Sequence, residues 1–161
     1  MINSKRVQRI LTAAIVFLCW SIVSFAAAPT DINLTPSSVD ENQSINTTVG
    51  TLTTVDPDGD TDFIYTLVPG TGDTDNGSFN ISGDQLRTSE VFNYEAQTTY
   101  SIRVKSKSIS VPTDSVEVVL TVNITNVNES PTDINITSST VDEGQPSGTA
   151  VGTFSTSDPD I

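Results

Sequence analysis

The chain has 161 residues, with 20 Asp and Glu against 7 Lys and Arg, no His, one Cys and one Trp, and a formal charge of −13. A surface this negative repels phosphate backbones, which excludes nucleic acid as a partner. Without His, neither a Ser-His-Asp triad, a Cys-His dyad nor the common zinc sites can be built. What remains is a chain rich in oxygen ligands, which suit hard cations.

Charge divides the sequence. Lys5, Arg6 and Arg9 lie in the first nine positions, every acid lies at Asp31 or later, and from residue 29 onward the balance is −16. The basic start is followed by an uncharged, largely apolar run from Ile10 through Val23 and then by Ser24-Phe25-Ala26-Ala27-Ala28. Residues 1–28 therefore read as a secretory signal peptide, with two small-residue cleavage patterns. Ala26-x-Ala28 would leave Pro29 directly after the cut, where a rigid imide is a poor substrate; Ser24-x-Ala26 cuts before Ala27. The alternative reading is a signal anchor, since the uncharged stretch Ile10–Ala28 is just long enough to span a bilayer. Cys19 follows the bulky Leu18, a poor setting for lipid attachment, and leaves with the peptide, so the mature chain carries no disulfide.

Self-similarity is the strongest signal beyond this segment. Pro29–Asp58 aligns without a gap to Pro131–Asp160 at an offset of 102, with 19 identities in 30 positions. Pro29-Thr30-Asp31-Ile32-Asn33, Val39-Asp40-Glu41 and Asp56-Pro57-Asp58 all recur. The period is too long for helical or leucine-rich solenoids and suits independent domains in a row.

Inside the repeat the pattern is β. Phe63, Tyr65 and Leu67 alternate with polar residues, as do Tyr100, Ile102 and Val104, and then Val116, Val118, Leu120, Val122 and Ile124. Turn chemistry separates these runs at Asp56-Pro57-Asp58-Gly59, Pro69-Gly70, Asp75-Asn76-Gly77 and Ser82-Gly83-Asp84. The alternation slips phase around Val49-Gly50-Thr51-Leu52, where Gly50 is a candidate bulge. About seven short strands in a hundred residues predict an all-β, antiparallel β-sandwich, large enough for a core of its own. Residues 29–130 form repeat one. Residues 131–161 start repeat two, whose two expected strands cannot close a sandwich, so the sequence reads as part of a longer multi-repeat protein.

On these motifs the repeat resembles the cadherin family, in particular the cadherin-like repeats of large bacterial surface proteins. Glu41 and Glu143 match the family's Glu after its first strand. Asp56/Asp58 and Asp158/Asp160 match its Asp-x-Asp, and Phe92-Asn93-Tyr94-Glu95 stands at its Leu-Asp-x-Glu. Asn126-Val127-Asn128-Glu129-Ser130 stands at its Asp-x-Asn-Asp-Asn linker. The resemblance implies a seven-stranded Greek-key sandwich and Ca²⁺ bound between successive repeats. Carried over position by position, it assigns metal ligation to Glu41, Glu95, Asn126, Asn128 through its carbonyl, Glu129, Asp158 and Asp160. Asn93, Asp56 and Asp58 are weaker members. Five carboxylates would converge, enough for about two calcium ions. Asn93 and Asn126 replace family aspartates, keeping an oxygen but removing a charge. Ser108 stands where the family's Ala-x-Asp motif has its Asp, which leaves Asp56 and Asp58 short of a partner.

The resemblance further implies a non-catalytic, secreted or cell-surface protein acting in adhesion, or as a calcium-stiffened spacer. Its partners would be other cadherin-like repeats in cis or trans, or a cell-surface protein or carbohydrate. Membrane association would come through an uncleaved signal anchor or a region beyond this sequence. The competing expectation is a calcium-independent immunoglobulin- or fibronectin-like spacer attached to a further enzyme or binding domain.

Overall fold

The computed structural model describes residues 27–160; the charged start, the apolar run, Cys19 and Trp20 of the leader reading lie outside them. The alternating segments form strands. In chain order these are β1 (Asp31–Thr35), β2 (Ser38–Asp40), β3 (Thr48–Val55), β4 (Phe63–Leu67), β5 (Phe79–Ser82), β6 (Gln85–Thr88), β7 (Thr99–Ser108) and β8 (Ser115–Thr125). A single short 3₁₀ turn, Asn76–Ser78, is the one helical element among the described residues.

Two four-stranded sheets result, one ordered β1-β3-β6-β5 and the other β2-β8-β7-β4. Their inner faces supply one core, which includes Ile32, Leu52 and Leu86 from the first sheet and Ile102, Val104 and Val122 from the second. Burial alternates along β7 as the sequence predicts, but the buried face runs on into Ser106 and Ser108. These hydroxyls are satisfied locally. Thr54 Oγ1 lies 2.6 Å from Ser106 Oγ and 2.8 Å from Tyr65 Oη, and Ser108 Oγ accepts from the Val111 N–H at 3.1 Å. One end of the core is thus polar yet fully bonded, as burial requires.

The strand count differs from seven for a definite reason. Pro36 lacks an N–H for a ladder and falls between β1 and β2, so one run of chain is split in two. Its first half pairs antiparallel with β3, while its second half crosses to the other sheet and pairs with β8. That pairing is parallel, a departure from the antiparallel expectation, because the crossing strand keeps its direction and meets a last strand running the same way.

The slip at Gly50 is a bulge: Thr48 opposes Arg87 and Gly50 opposes Leu86, leaving Val49 as the extra residue. A Cβ on Gly50 would stand 2.0 Å from the Pro36 carbonyl oxygen, so the position admits only glycine.

The second copy reproduces the first hairpin pairing, while residues 140–142, the counterpart of β2, form no strand. Its two strands, β9 (Asp133–Ile136) and β10 (Phe154–Ser157), pair antiparallel, with Asp133 opposite Ser157 and Ile136 opposite Phe154. Shifted back by 102 this is the β1–β3 register, in which Asp31 opposes Val55 and Leu34 opposes Leu52. All eight residues are exposed, with Phe154 at 71% where its counterpart Leu52 is at 1%. A hairpin alone has no second sheet to cover its apolar face.

Candidate metal centre at the end of repeat one

Strand β2 ends one residue before Glu41, and the same ladder carries on through the Glu41 N–H, which donates to the Thr125 carbonyl at 3.0 Å. This brings the start of the linker, just beyond β8, alongside Glu41. The segment before β7 arrives at the same end, because the Asn42 N–H donates to the Phe92 carbonyl at 3.0 Å. Phe92 is anchored in turn against Phe79 and Tyr100, with ring centroids 5.2 and 4.6 Å away. The aromatic trio belongs to the core, and it fixes the loop that carries Glu95.

Glu41 is fully buried. Its two carboxylate oxygens each accept one backbone N–H, from Tyr94 and from Val127, both at 2.8 Å. One side chain therefore ties the loop before β7 to the linker. Exposed Glu95 accepts from Asn126 Nδ2 at 3.4 Å, and half-buried Glu129 accepts from Asn42 Nδ2. Carboxylate oxygens of Glu41, Glu95 and Glu129 lie within 4.8 Å of one another.

Repeat two reaches the same cluster. The Glu129 N–H donates to Asp160 Oδ2 at 2.8 Å, and the Asp160 N–H donates to Asp158 Oδ1 at 3.1 Å. Glu129 Oε2 and Asp160 Oδ1 are out of solvent with no hydrogen-bond donor. Carboxylate oxygens accept only, and neighbouring carboxylates supply no proton. Among the described residues no basic side chain pairs with these acids. Arg103 and Lys105 are both engaged with Glu117 on the outer face of β7 and β8, at 2.9 and 3.3 Å. Burial pushes the Glu129 carboxyl above the usual range; Glu41, Asp160 and Glu95 push the same way, against the hydrogen bond from Asn42.

These observations test the donor set for a hard cation, and it fits. Anionic oxygens converge from four segments, two of the oxygens orphaned and shielded, and among the described residues no basic side chain neutralises them. The remaining sequence candidates fall as follows. Asn128 Nδ2 donates to the Glu129 carbonyl at 2.9 Å, which shapes the linker. Asn93 Oδ1 accepts from the Ala96 N–H at 2.9 Å and serves its own turn. Asp56 and Asp58 are not brought to the cluster. They sit beyond β3 at the opposite end of repeat one, where Asp56 Oδ1 accepts from the Asp58 N–H at 2.9 Å.

Asn42 was not among the sequence candidates. It has φ 60, and Gly144, its counterpart 102 residues on, has φ 79. An Asn aligned with a Gly marks a left-handed position, and this signal was present in the repeat alignment. Asn46 at φ 68 and Gly148 at φ 93 repeat it. The donors on Glu41 are main-chain groups, which no side-chain pattern announces.

Fold and site define a class: a β-sandwich repeat with an acidic cluster where it meets the next copy. A family profile described as "Cadherin domain" matches residues 35–125, more than half of the chain, and the chain belongs to that family. Among solved structures, human protocadherin-24 EC1-2 matches with a TM-score of 0.62 at 17% identity, covering 83% of this chain and 60% of that one. The protocadherin gammaB7 EC3-6 cis-dimer matches with a TM-score of 0.56 at 23% identity, covering 83% of this chain and 32% of that one. Protocadherin gamma B7 extracellular cadherin domains 1-4 give 0.52 at 21% identity, covering 82% and 34%. At these identities the likeness is one of fold, and the chain spans between about a third and 60% of the solved chains it matches. Comparison with curated proteins gives no match. Among the described residues no helix is long and apolar enough to cross a membrane.

Proposed function

We propose that this chain is a non-catalytic, exported cadherin repeat whose junction with the following repeat binds Ca²⁺ and stiffens on doing so. The observation that carries the reading is the Glu41–Glu95–Glu129 cluster, closed from repeat two by Asp160, with shielded orphan oxygens on Glu129 and Asp160. Glu41, Glu95, Glu129 and Asp160 would hold the ion from their carboxylates, with Asp158, Asn126 and the Asn128 carbonyl as further oxygen donors. The ion would supply positive charge to a group of acids that otherwise repel one another.

The protein's own residues do the rest. Glu41 fixes the linker through Val127, Asn42 orients Glu129, and Asp160 ties repeat two to the linker backbone. Residues 29–130 act as one repeat and 131–161 begin the next. The setting that follows is a secreted or cell-surface one. There, repeats of this kind serve as a spacer or pair with other cadherin repeats in cis or trans, as the gammaB7 cis-dimer illustrates for its own chain.

The test is thermal unfolding and small-angle scattering of the full chain in excess Ca²⁺ and in chelator. A ligand present at about a hundred times its Kd stabilises the folded state by roughly 2.7 kcal/mol. The expected result is a higher Tm and a less flexible junction with Ca²⁺. Identical curves in the two buffers would establish the calcium-independent spacer instead.

A further inference from the structure

The turn at the top of repeat one and its copy in repeat two make one shared contact. In repeat two, Asp160 Oδ2 accepts from the Glu129 backbone N–H. In repeat one, Asp58 Oδ2 accepts from the Ala27 backbone N–H. Both donor and acceptor are related by the offset of 102. What differs is the residue that carries the donor: Glu129 lies in a linker among carboxylates, whereas Ala27 lies at one of the two small-residue cleavage patterns of the leader.

We propose that the exported chain is cut between Ala26 and Ala27, and that the new α-ammonium of Ala27 pairs with the Asp58 carboxylate. This rests on the signal-peptide reading of residues 1–28. An export-associated peptidase adds water across the Ala26–Ala27 peptide bond, leaving a carboxylate on Ala26 and an ammonium on Ala27. The donor already facing Asp58 thereby gains a full positive charge, and the contact becomes charge-assisted.

The competing cut, between Ala28 and Pro29, is disfavoured by burial. Pro29 is buried, and Thr30 beside it is fixed to the sheet by an N–H donated to the Val55 carbonyl at 2.8 Å. A cut there would create a charged nitrogen on a buried residue, which costs free energy unless the charge is paired. A cut before Ala27 puts the charge on a half-buried residue with its counter-ion in place. The terminus would then cap the first repeat where the linker caps the second.

Because Asp58 is exposed, the pair contributes little to stability, and proximity is the better readout. The full chain is exported from a bacterial host, and the product is examined by intact mass and by its N-terminal peptide. The expected product begins at Ala27. In chelator, a zero-length carbodiimide should then join the Ala27 amine to Asp58 with loss of one water. The link should map to that peptide pair and be absent in Asp58→Asn. A product beginning at Pro29 overturns the proposal and leaves the leader reading standing; a product retaining residues 1–26 overturns both. An Ala27 product whose amine couples to other carboxylates while Asp58 is intact overturns the ion pair.

Discussion

Glu41 and Glu129 bring carboxylate oxygens within 4.8 Å of each other, although one is fully buried at the end of β2 and the other sits in the linker beyond β8. The two acids do different work. Both Glu41 oxygens are taken by backbone N–H groups, so its carboxylate is structural whether or not a cation is present. Glu129 keeps one shielded oxygen without a donor, so it gains most from an added positive charge.

Glu41→Ala should therefore destabilise repeat one even in chelator. It leaves the part-buried Tyr94 and Val127 N–H groups without their acceptor, at up to roughly 1–3 kcal/mol for each donor that water does not reach. Glu41→Gln retains one acceptor oxygen and should cost less than Glu41→Ala, while still weakening any response to Ca²⁺. Urea unfolding of the two variants, with and without chelator, checks the order. Equal stability of Glu41→Ala and the parent would remove Glu41 from its assigned place.

Acidification should tighten the junction when no divalent ion is present. The Glu129 carboxyl is raised above its ordinary value by burial and by its acidic neighbours. For a group raised on folding, the protonated form is favoured in the folded state. Its contribution is present at low pH and is lost as pH rises through the raised value. In chelator, lowering pH from neutrality toward about 5 should slow amide exchange at the Glu129 and Asp160 N–H groups relative to Glu129→Gln, once the intrinsic pH effect is removed. A Glu129→Gln profile identical to the parent's would contradict this.

Asn42 separates backbone from side-chain roles. A β-branched residue at φ 60 is strained by about 1–2 kcal/mol, so Asn42→Val should lower the urea midpoint. Asn42→Gly adopts the angle freely, as Gly144 does, and should leave the fold nearly unchanged. It should, however, raise the Glu129 carboxyl further by removing the opposing hydrogen bond, which a carboxylate NMR titration would report.

Gly50→Ala should be among the most damaging small substitutions. The new methyl would stand 2.0 Å from the Pro36 oxygen, a backbone atom that cannot step aside as a flexible side chain would. Overpacking of this kind costs about 1–3 kcal/mol or more. Gly152→Ala meets the Ser138 oxygen in the same way, at 2.4 Å, but there it strains a lone hairpin. Denaturant midpoints should fall for the first variant and stay near the parent's for the second.

The sequence carried most of this fold because period-2 alternation in β7 and β8 and the 102-residue repeat are global signals. The bulge was legible from one glycine out of phase. The parallel β2–β8 pairing was not, since nothing in Ser38-Val39-Asp40 states which sheet a strand will join after Pro36. At the cluster, acids were visible by type and spacing. Asn42 was passed over because its function lies in a left-handed backbone angle shared with Gly144, and Tyr94 and Val127 act through N–H groups common to every residue.

That parallel pairing has a mechanical consequence. Ser38, Val39 and Asp40 lie beside Asn123, Ile124 and Thr125, so the first and last parts of repeat one are joined to each other directly. Pulled from its two ends, the repeat would load these hydrogen bonds along the strand direction. They must then yield together in shear instead of parting one at a time. The patch sits next to Glu41, whose bond to Val127 lies on the same path of tension. Occupancy of the acidic cluster would thus set not only how straight a row of repeats stands but how much force its first link bears before opening.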